Sequence, residues 1–292
     1  MKKSLSALTL SVIMVCSLCA CGRNTGNSNN TTSNSEITVV SREDGSGTRD
    51  AFVDIMKITD DKGNDITYDA AEITNSNSVM LSTVSGNKNA IGYVSVGTHS
   101  DNVKTVSVDG VKADAENVKS GKYKISRPFN ICYKEGVLGE LAKDFEKFVM
   151  SAEGQKTVKE SGYTPIDTDV AYTASNLKGK ISLAGSTSVA PIMEVLADKY
   201  KELNPDVTVE IQQSGSSAGI SSAIEGVCDF AMASRDLKES EKKELVQKKF
   251  ATDGIAVIVN KENKTDNLTA EQIKAIFTGK TTNWSEIEKV AK

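Results

Sequence analysis

Three times in this chain an apolar run of β type ends in a short stretch of Ser, Thr and Gly and passes at once into a helical pattern. Ile37-Thr38-Val39-Val40 leads into Ser41-Arg42-Glu43-Asp44-Gly45-Ser46-Gly47-Thr48-Arg49, and Ala51-Phe52-Val53-Asp54-Ile55-Met56 follows. Lys180 to Ala184 leads into Gly185-Ser186-Thr187-Ser188 and a helix from about Val189. Val207 to Ile211 leads into Ser214-Gly215-Ser216-Ser217-Ala218-Gly219 and a helix through Ile224. The first turn of a helix has unpaired N–H groups and a positive partial charge. Glycine lets a ligand approach the backbone closely. Ser46 and Thr48 add hydroxyl donors, and Arg42 adds a forked, permanently charged one. One such loop is an ordinary cap; three of them point to a site for an oxyanion.

The beginning of the chain reads as a separate segment. Lys2 and Lys3, an apolar stretch from Leu5 to Leu18, and Ala20-Cys21 have the pattern of a secretory signal over residues 1–20. Leu18-Cys19-Ala20-Cys21 resembles a bacterial lipobox, with Cys21 as the lipidated residue and plain secretion as the alternative. Residues 21–36, rich in Asn, Ser, Thr and Gly, read as a flexible tether with an end-to-end distance of roughly 20 Å. The expected location is the extracytoplasmic face of the cell membrane, reached through a lipid anchor.

The net charge of −4 is against a nucleic-acid partner of the basic type. It leaves anion binding open, because local donors decide that. Three of the five cysteines fall in the leader. Cys132 and Cys228, in apolar runs, read as buried thiols, with pairing left open. No Cys/His cluster suggests a metal, and no cofactor is expected.

Strands and helices alternate along the body, which predicts an α/β fold with mostly parallel sheets. Strands are expected at Ala90–Val96, Val103–Val108 and Cys228–Ala233. Tyr123–Tyr133 and Gly254–Asn260 read as extended crossings, with Pro128 holding Arg127 away from helix. Helices are expected from Leu138 to Val149, from Ser151 to near Gly162, from Ser240 to Val246 and from Thr269 to Phe277. The helix after Ser188 places Val189, Ile192, Met193, Leu196, Tyr200 and Leu203 on one face. Asn75-Ser76-Asn77-Ser78 reads as a cap. Ligands in such folds bind beyond the carboxyl ends of the strands, where all three Ser/Thr/Gly loops fall.

Gly215-Ser216-Ser217-Ala218-Gly219 also fits the G-x-S-x-G elbow of serine hydrolases, with Ser217 as nucleophile. The chain's single histidine, His99, precedes it by more than a hundred residues and lies in a polar turn. A serine hydrolase is therefore the weaker reading, and no enzyme is expected.

The three loops, taken together with Asp229-Phe230-Ala231-Met232-Ala233-Ser234-Arg235, Asp253 to Asn260, Ile276-Phe277-Thr278-Gly279-Lys280, Asn283-Trp284 and Ala90-Ile91-Gly92-Tyr93, resemble the phosphate-binding protein of bacterial phosphate ABC transporters. The resemblance covers nearly all of the body. It implies a two-lobed fold of the periplasmic-binding-protein type (class II), each lobe a mostly parallel sheet flanked by helices, with the ligand in the cleft between them. In the usual order of that family the Thr187 loop comes first, so this chain looks circularly permuted. Its lobes would then be residues 37–126 with 254–292, and residues 127–253.

By motif, the resemblance implies that the anion meets Arg42, Ser46, the main chain of Gly47, and Thr48 from one lobe. From the other it meets Thr187, Ser188 and Ser216. Asp44 is expected to hold Arg42, and Ser217 and Ser234 to support the loops. Arg235 stands near the place of an acid that accepts the proton of hydrogen phosphate; either Asp236 serves instead or Arg235 contributes charge. The expected function is capture of inorganic phosphate by a monomer for membrane permease subunits. The alternatives are sulfate, molybdate or tungstate binding, or a phosphate sensor or adhesin.

Overall fold

The computed structural model describes residues 36–98 and 100–290. The elements in order are β1 (Thr38–Arg42), α1 (Gly47–Met56), β2 (Glu72–Thr74), α2 (Asn77–Gly86), β3 (Ala90–Ser95), β4 (Val103–Val108), α3 (Ala115–Lys119), β5 (Ser126–Tyr133), α4 (Glu140–Val149), α5 (Ala152–Glu160) and β6 (Thr164–Pro165). They continue with β7 (Gly179–Gly185), α6 (Ala190–Leu203), β8 (Val207–Gln213), α7 (Ser216–Ile224), β9 (Phe230–Ala233), β10 (Val246–Asn260), β11 (Asn267–Leu268), α8 (Ala270–Phe277) and α9 (Trp284–Val290). The leader, Cys21, most of the tether and His99 lie outside the described residues.

The strands join in the order β2-β1-β3-β10-β5-β9-β7-β8, with β4 and β6 also on β10 and β11 on β4. The three strands that feed the Ser/Thr/Gly loops have parallel neighbours. The centre departs from the expected parallel sheet: β10 runs antiparallel to β3, β4, β5 and β6, and β5 antiparallel to β9. An antiparallel return needs no covering helix, whereas parallel neighbours need a crossover.

Strand β10, 15 residues long, is the spine of this arrangement. Its first half pairs with β5 from Val246↔Tyr133 to Gly254↔Ser126. Its second half pairs with β3 and β4. Both faces of that second half are buried: Ile255, Val257 and Val259 join one apolar cluster, Ala256 and Ile258 another. This is why Gly254 to Asn260 reads as a continuous apolar run. The clusters on this side draw on residues 37–125 and 255–287. The remaining two draw on residues 129–251.

Where the chain passes between these groups, Arg127 stands opposite Asp253 in the β5–β10 register. Both are buried, with Arg127 Nη2 3.1 Å from Asp253 Oδ2 and Ser95 Oγ donating to Oδ1 at 2.9 Å. The Arg127 guanidinium also lies 5.4 Å from the centre of the Phe129 ring. Pro128 is tolerated here because β9 begins to pair with β5 only at Asn130.

Two further expectations are corrected. Residues 240–246 form a single 3₁₀ turn, Glu241–Lys243, after which Val246 opens β10. The segment lacks an apolar face to bury, and the Glu241 carboxylate is held by Arg235 and by the N–H of Lys238. Leu203, the last residue of α6, is 44% exposed rather than on the buried face. Cys132 and Cys228 are free thiols, both pushed up by burial, to about 12 and about 11.

Helix α1 is fixed from beneath. Phe52 stacks on Tyr93 at 4.1 Å and meets Phe277 edge-on at 4.9 Å. Replacing Phe52 by Ala removes this stack, and unfolding by urea is expected to show a loss of about 3–5 kcal/mol; a loss below about 1 kcal/mol overturns the assignment. A second prediction concerns Asp253. Burial raises its carboxyl to about 6, so the native state holds this proton where the unfolded chain releases it. The stabilisation is present below the ordinary carboxylate range and is lost as pH rises through about 6. Unfolding free energies of wild type and Asp253→Asn are therefore expected to diverge between about pH 4 and 6, with wild type losing ground as pH rises; parallel curves refute this.

Candidate functional site: a buried cluster of donors

The three helix starts differ in how they are capped. Ser46 caps α1 by accepting from the N–H of Arg49. The turn before α6 is held by Ser186 Oγ, which accepts from the N–H groups of Ser188 and Val189. Helix α7 follows Gly215 at φ +88°, a left-handed conformation suited to glycine, with no side-chain cap. The first-turn N–H groups of such starts are available to an acceptor.

The loops meet one another. Arg42 Nη2 donates to Thr187 Oγ1 at 3.2 Å, and Thr48 Oγ1 lies 2.9 Å from Ser188 Oγ. The N–H of Ser217 donates to Gly45 O at 3.1 Å. Ser216 Oγ accepts from the N–H of Ser234 at 3.2 Å and lies 3.3 Å from Ser234 Oγ. Gly47 faces this pair so closely that a Cβ there would be 2.4 Å from Ser216 Oγ. Arg42, Ser46, Thr48, Thr187, Ser188, Ser216 and Ser234 are all buried. The structure thus joins the three loops through Arg42–Thr187, Thr48–Ser188, Gly45–Ser217 and Gly47–Ser216, while Ser46 is buried as the cap of its own helix.

Arg42 is positioned from several directions. The Tyr93 hydroxyl accepts from its backbone N–H at 3.2 Å and bonds Ser41 Oγ at 2.9 Å. Burial raises the Tyr93 phenol to about 12, so it stays neutral. Arg49 Nη1 donates to Arg42 O at 3.0 Å and its Nε to Asp65 at 2.8 Å. The guanidinium makes a two-pronged pair with Glu43, Nε to Oε2 at 2.7 Å and Nη2 to Oε1 at 2.8 Å.

That pair corrects the expectation for Asp44. Asp44 is exposed in the turn that Gly45 makes at φ +80°, and Glu43, one residue earlier, is the partner. Arg235 is corrected too. It forks onto Glu241 at 2.7 and 2.9 Å, donates to Ser217 Oγ at 3.2 Å, and places Nε 3.0 Å from Asp50 Oδ2. It braces Ser217 from outside and does not join the hydroxyls around Arg42. Asp236 is exposed and accepts from Gln247 at 2.6 Å, so it too lies apart from the donors. The Ser217 hydroxyl accepts from this arginine. Gly219 packs α7 against the Ala184–Gly185 backbone, where a Cβ would be 2.4 Å from Ala184 O. Close packing, not an elbow, explains that glycine.

Sequence reasoning missed Asn77. It bridges Arg42 Nη1 at 3.4 Å and Ser188 Oγ at 2.9 Å and is 3% exposed. Its signal was the cap at Ser76, which places the first residue of α2 at a loop end. Among the described residues no group of His, Cys, Asp and Glu is arranged to hold a metal ion.

What results is a buried, multi-loop cluster of donors with one charged arginine, the equipment of a binding protein for an anion. The PBP superfamily domain matches residues 13–153 and 170–292. The chain is 49% identical over 287 residues to the phosphate-binding protein PstS 2 of Streptococcus agalactiae serotype V, covering 96% of this chain and 98% of that one. It is 43% identical over 275 residues to phosphate-binding protein PstS 2 of Streptococcus pneumoniae serotype 4, covering 93% and 94%. The crystal structure of a phosphate ABC transporter, phosphate-binding protein from Streptococcus pneumoniae TIGR4 matches with a TM-score of 0.69 at 43% identity, covering 86% of this chain and 99% of that one. The chain belongs to the PstS-like family of phosphate-binding proteins, with their α/β periplasmic-binding-protein fold.

The contact at Gly47 is testable. Gly47→Ala adds a methyl against Ser216 Oγ and is expected to destabilise by about 1–3 kcal/mol through overpacking, although alanine is the better helix former. Adding Ser216→Ala should recover part of the loss in thermal unfolding. Additive losses in the double variant contradict the contact.

Proposed function

We propose that this chain is a lipid-anchored extracytoplasmic binding protein that captures inorganic phosphate and delivers it to the permease of an ABC importer. The observation that carries this reading is the junction of three helix starts, with Arg42 bonded to Thr187, Thr48 to Ser188, and Ser216 packed against Gly47, all of these side chains buried. The relatives' names add the ligand and the transport context. Cys21 is the proposed anchor point; no helix among the described residues is long and apolar enough to cross a membrane.

In this reading residues 37–126 with 254–292 form one lobe and residues 127–253 the other, a division supported by where the apolar clusters fall. Strands β5 and β10 connect them. The contacts Arg42–Thr187, Thr48–Ser188 and Asp50–Arg235 then join one lobe to the other. The 600 Å³ cavity lined by Asp50, Asp54, Arg127, Arg235 and Lys238 forms part of the cleft. An anion binding both lobes favours the closed arrangement to the extent of its differential affinity. The permuted order is supported by the bridge of Glu36 to Asn283 and by the N–H of Ile37 donating to Thr282 O at 2.7 Å. These put the start of the body beside its last helix, a geometry that suits permutation.

Calorimetric titration tests the reading, with the protein first unfolded and refolded to strip carried-over ligand. One-to-one phosphate binding at micromolar or lower Kd, about −8 kcal/mol or better, is the expected result. Arg42→Ala is expected to weaken it about a hundredfold or more, the scale for removing one partner of a buried charged pair. No binding of phosphate overturns the function; binding within threefold of wild type in the variant removes Arg42 from the site.

A further inference from the structure

A guanidinium has five N–H donors, and four of those on Arg235 are committed close to home. Nη1 donates to Glu241 Oε2 at 2.7 Å and to Asp236 O at 2.9 Å. Nη2 donates to Glu241 Oε1 at 2.9 Å and to Ser217 Oγ at 3.2 Å. Glu241 is held in turn by the backbone N–H of Lys238. These partners all belong to the 127–253 side of the division. The fifth donor, Nε, faces the other side, 3.0 Å from Asp50 Oδ2 in the first turn of α1. Both of these atoms are shut off from water, and neither has an aligned hydrogen bond. The contact holds by charge.

A second crossing stands next to it. The N–H of Ser217 donates to Gly45 O at 3.1 Å, and Ser217 Oγ is the group that Arg235 grips. Arg235 and Ser217 are thus coupled to each other, and they reach Asp50 and Gly45, one in the first turn of α1 and the other just before it. Neither crossing uses a side chain of the Arg42 cluster. If the two sides separate, Arg235 gives up one contact and keeps four. Its guanidinium stays aimed at the place where Asp50 returns, which lowers the cost of remaking the pair. The cavity that both residues line gives water a route to the parted groups, so parting them leaves no charge stranded in a dry site.

We propose that Asp50 and Arg235 form a latch between the lobes, which holds part of the ligand-free protein closed and so raises anion affinity without touching the anion. The proposal rests on the two-lobed, phosphate-binding reading. An anion that binds the closed arrangement has an apparent Kd equal to the intrinsic one divided by the closed fraction. Asp50 and Arg235 are therefore positioning residues: they set how much of the protein is ready to bind.

The experiment compares wild type, Asp50→Asn, Asp50→Glu and Asp54→Asn, each stripped of ligand by unfolding and refolding. Phosphate affinity is measured by calorimetry, release by stopped flow, and the radius of gyration by small-angle X-ray scattering with and without saturating phosphate. Asp50→Asn keeps the shape of the side chain and removes its charge. It is expected to weaken phosphate binding about fivefold or more, with the change in the dissociation rate. Its ligand-free form should be more expanded than ligand-free wild type, and the two should match at saturation. Asp50→Glu restores the charge and should recover most of the affinity. Asp54→Asn removes the same charge one turn further along α1, at an exposed position, and should bind within twofold of wild type. Weaker binding by Asp50→Asn with no expansion of its ligand-free form overturns the latch, as does binding within twofold of wild type. An equal loss in Asp54→Asn also overturns it. Failure of wild type to bind phosphate overturns the ligand assignment instead, and the ligand-free scattering still decides the latch.

Discussion

The buried guanidinium of Arg42 is the constraint that the rest of the site answers to. It is 1% exposed and cannot shed its proton. A permanent charge out of water is tolerable only where its donors are met. Glu43 takes two of its N–H groups, Asn77 and Thr187 take others, and Tyr93 and Arg49 hold the backbone on either side. Only one carboxylate is in this set, and three helix starts add partial positive charge. Glu43 balances the guanidinium, and the helix starts leave the cluster with a partial positive bias.

Placing that arginine at a meeting point of three loops is a matter of sheet topology. Loops that follow parallel strands emerge on the same edge, and β1, β7 and β8 each have a parallel neighbour. The two sets of parallel strands are joined through antiparallel β5 and β10, and one long strand serves both apolar groups. Arg127 and Asp253 sit on these two strands, opposite each other and out of water. A buried pair of this kind is weak evidence for stability but tolerates little displacement. It ties the two connecting strands at the one place where the apolar cores give way to each other.

What could be read in the sequence was what local pattern controls. Ser, Thr and Gly between an apolar strand and a helix identify donors at a helix start, and each of the three loops proved to have that form. Which side chain turns inward was less legible. Glu43 and Asp44 are equal candidates on composition, and the left-handed turn at Gly45 decides between them. Arg235 follows Ser234, a member of the cluster, so proximity in sequence suggested a shared role; Glu241, six residues on, draws its guanidinium away. Asn77 reads locally as a helix start and nothing more, because its partners are 35 and 111 residues distant. The mixed sheet was hidden for a similar reason: alternation of strand and helix says that crossovers exist but not which strands return without one.

The two arginines divide the work that one site needs. Arg42 is met by one carboxylate, Glu43, and otherwise by neutral hydroxyl and amide partners. Arg235 is matched by Glu241 and Asp50, both of which contact it. Matched charges contribute fixed geometry rather than field, and Arg235 applies that geometry to Ser217, whose N–H is bonded to Gly45 beside the Arg42 loop.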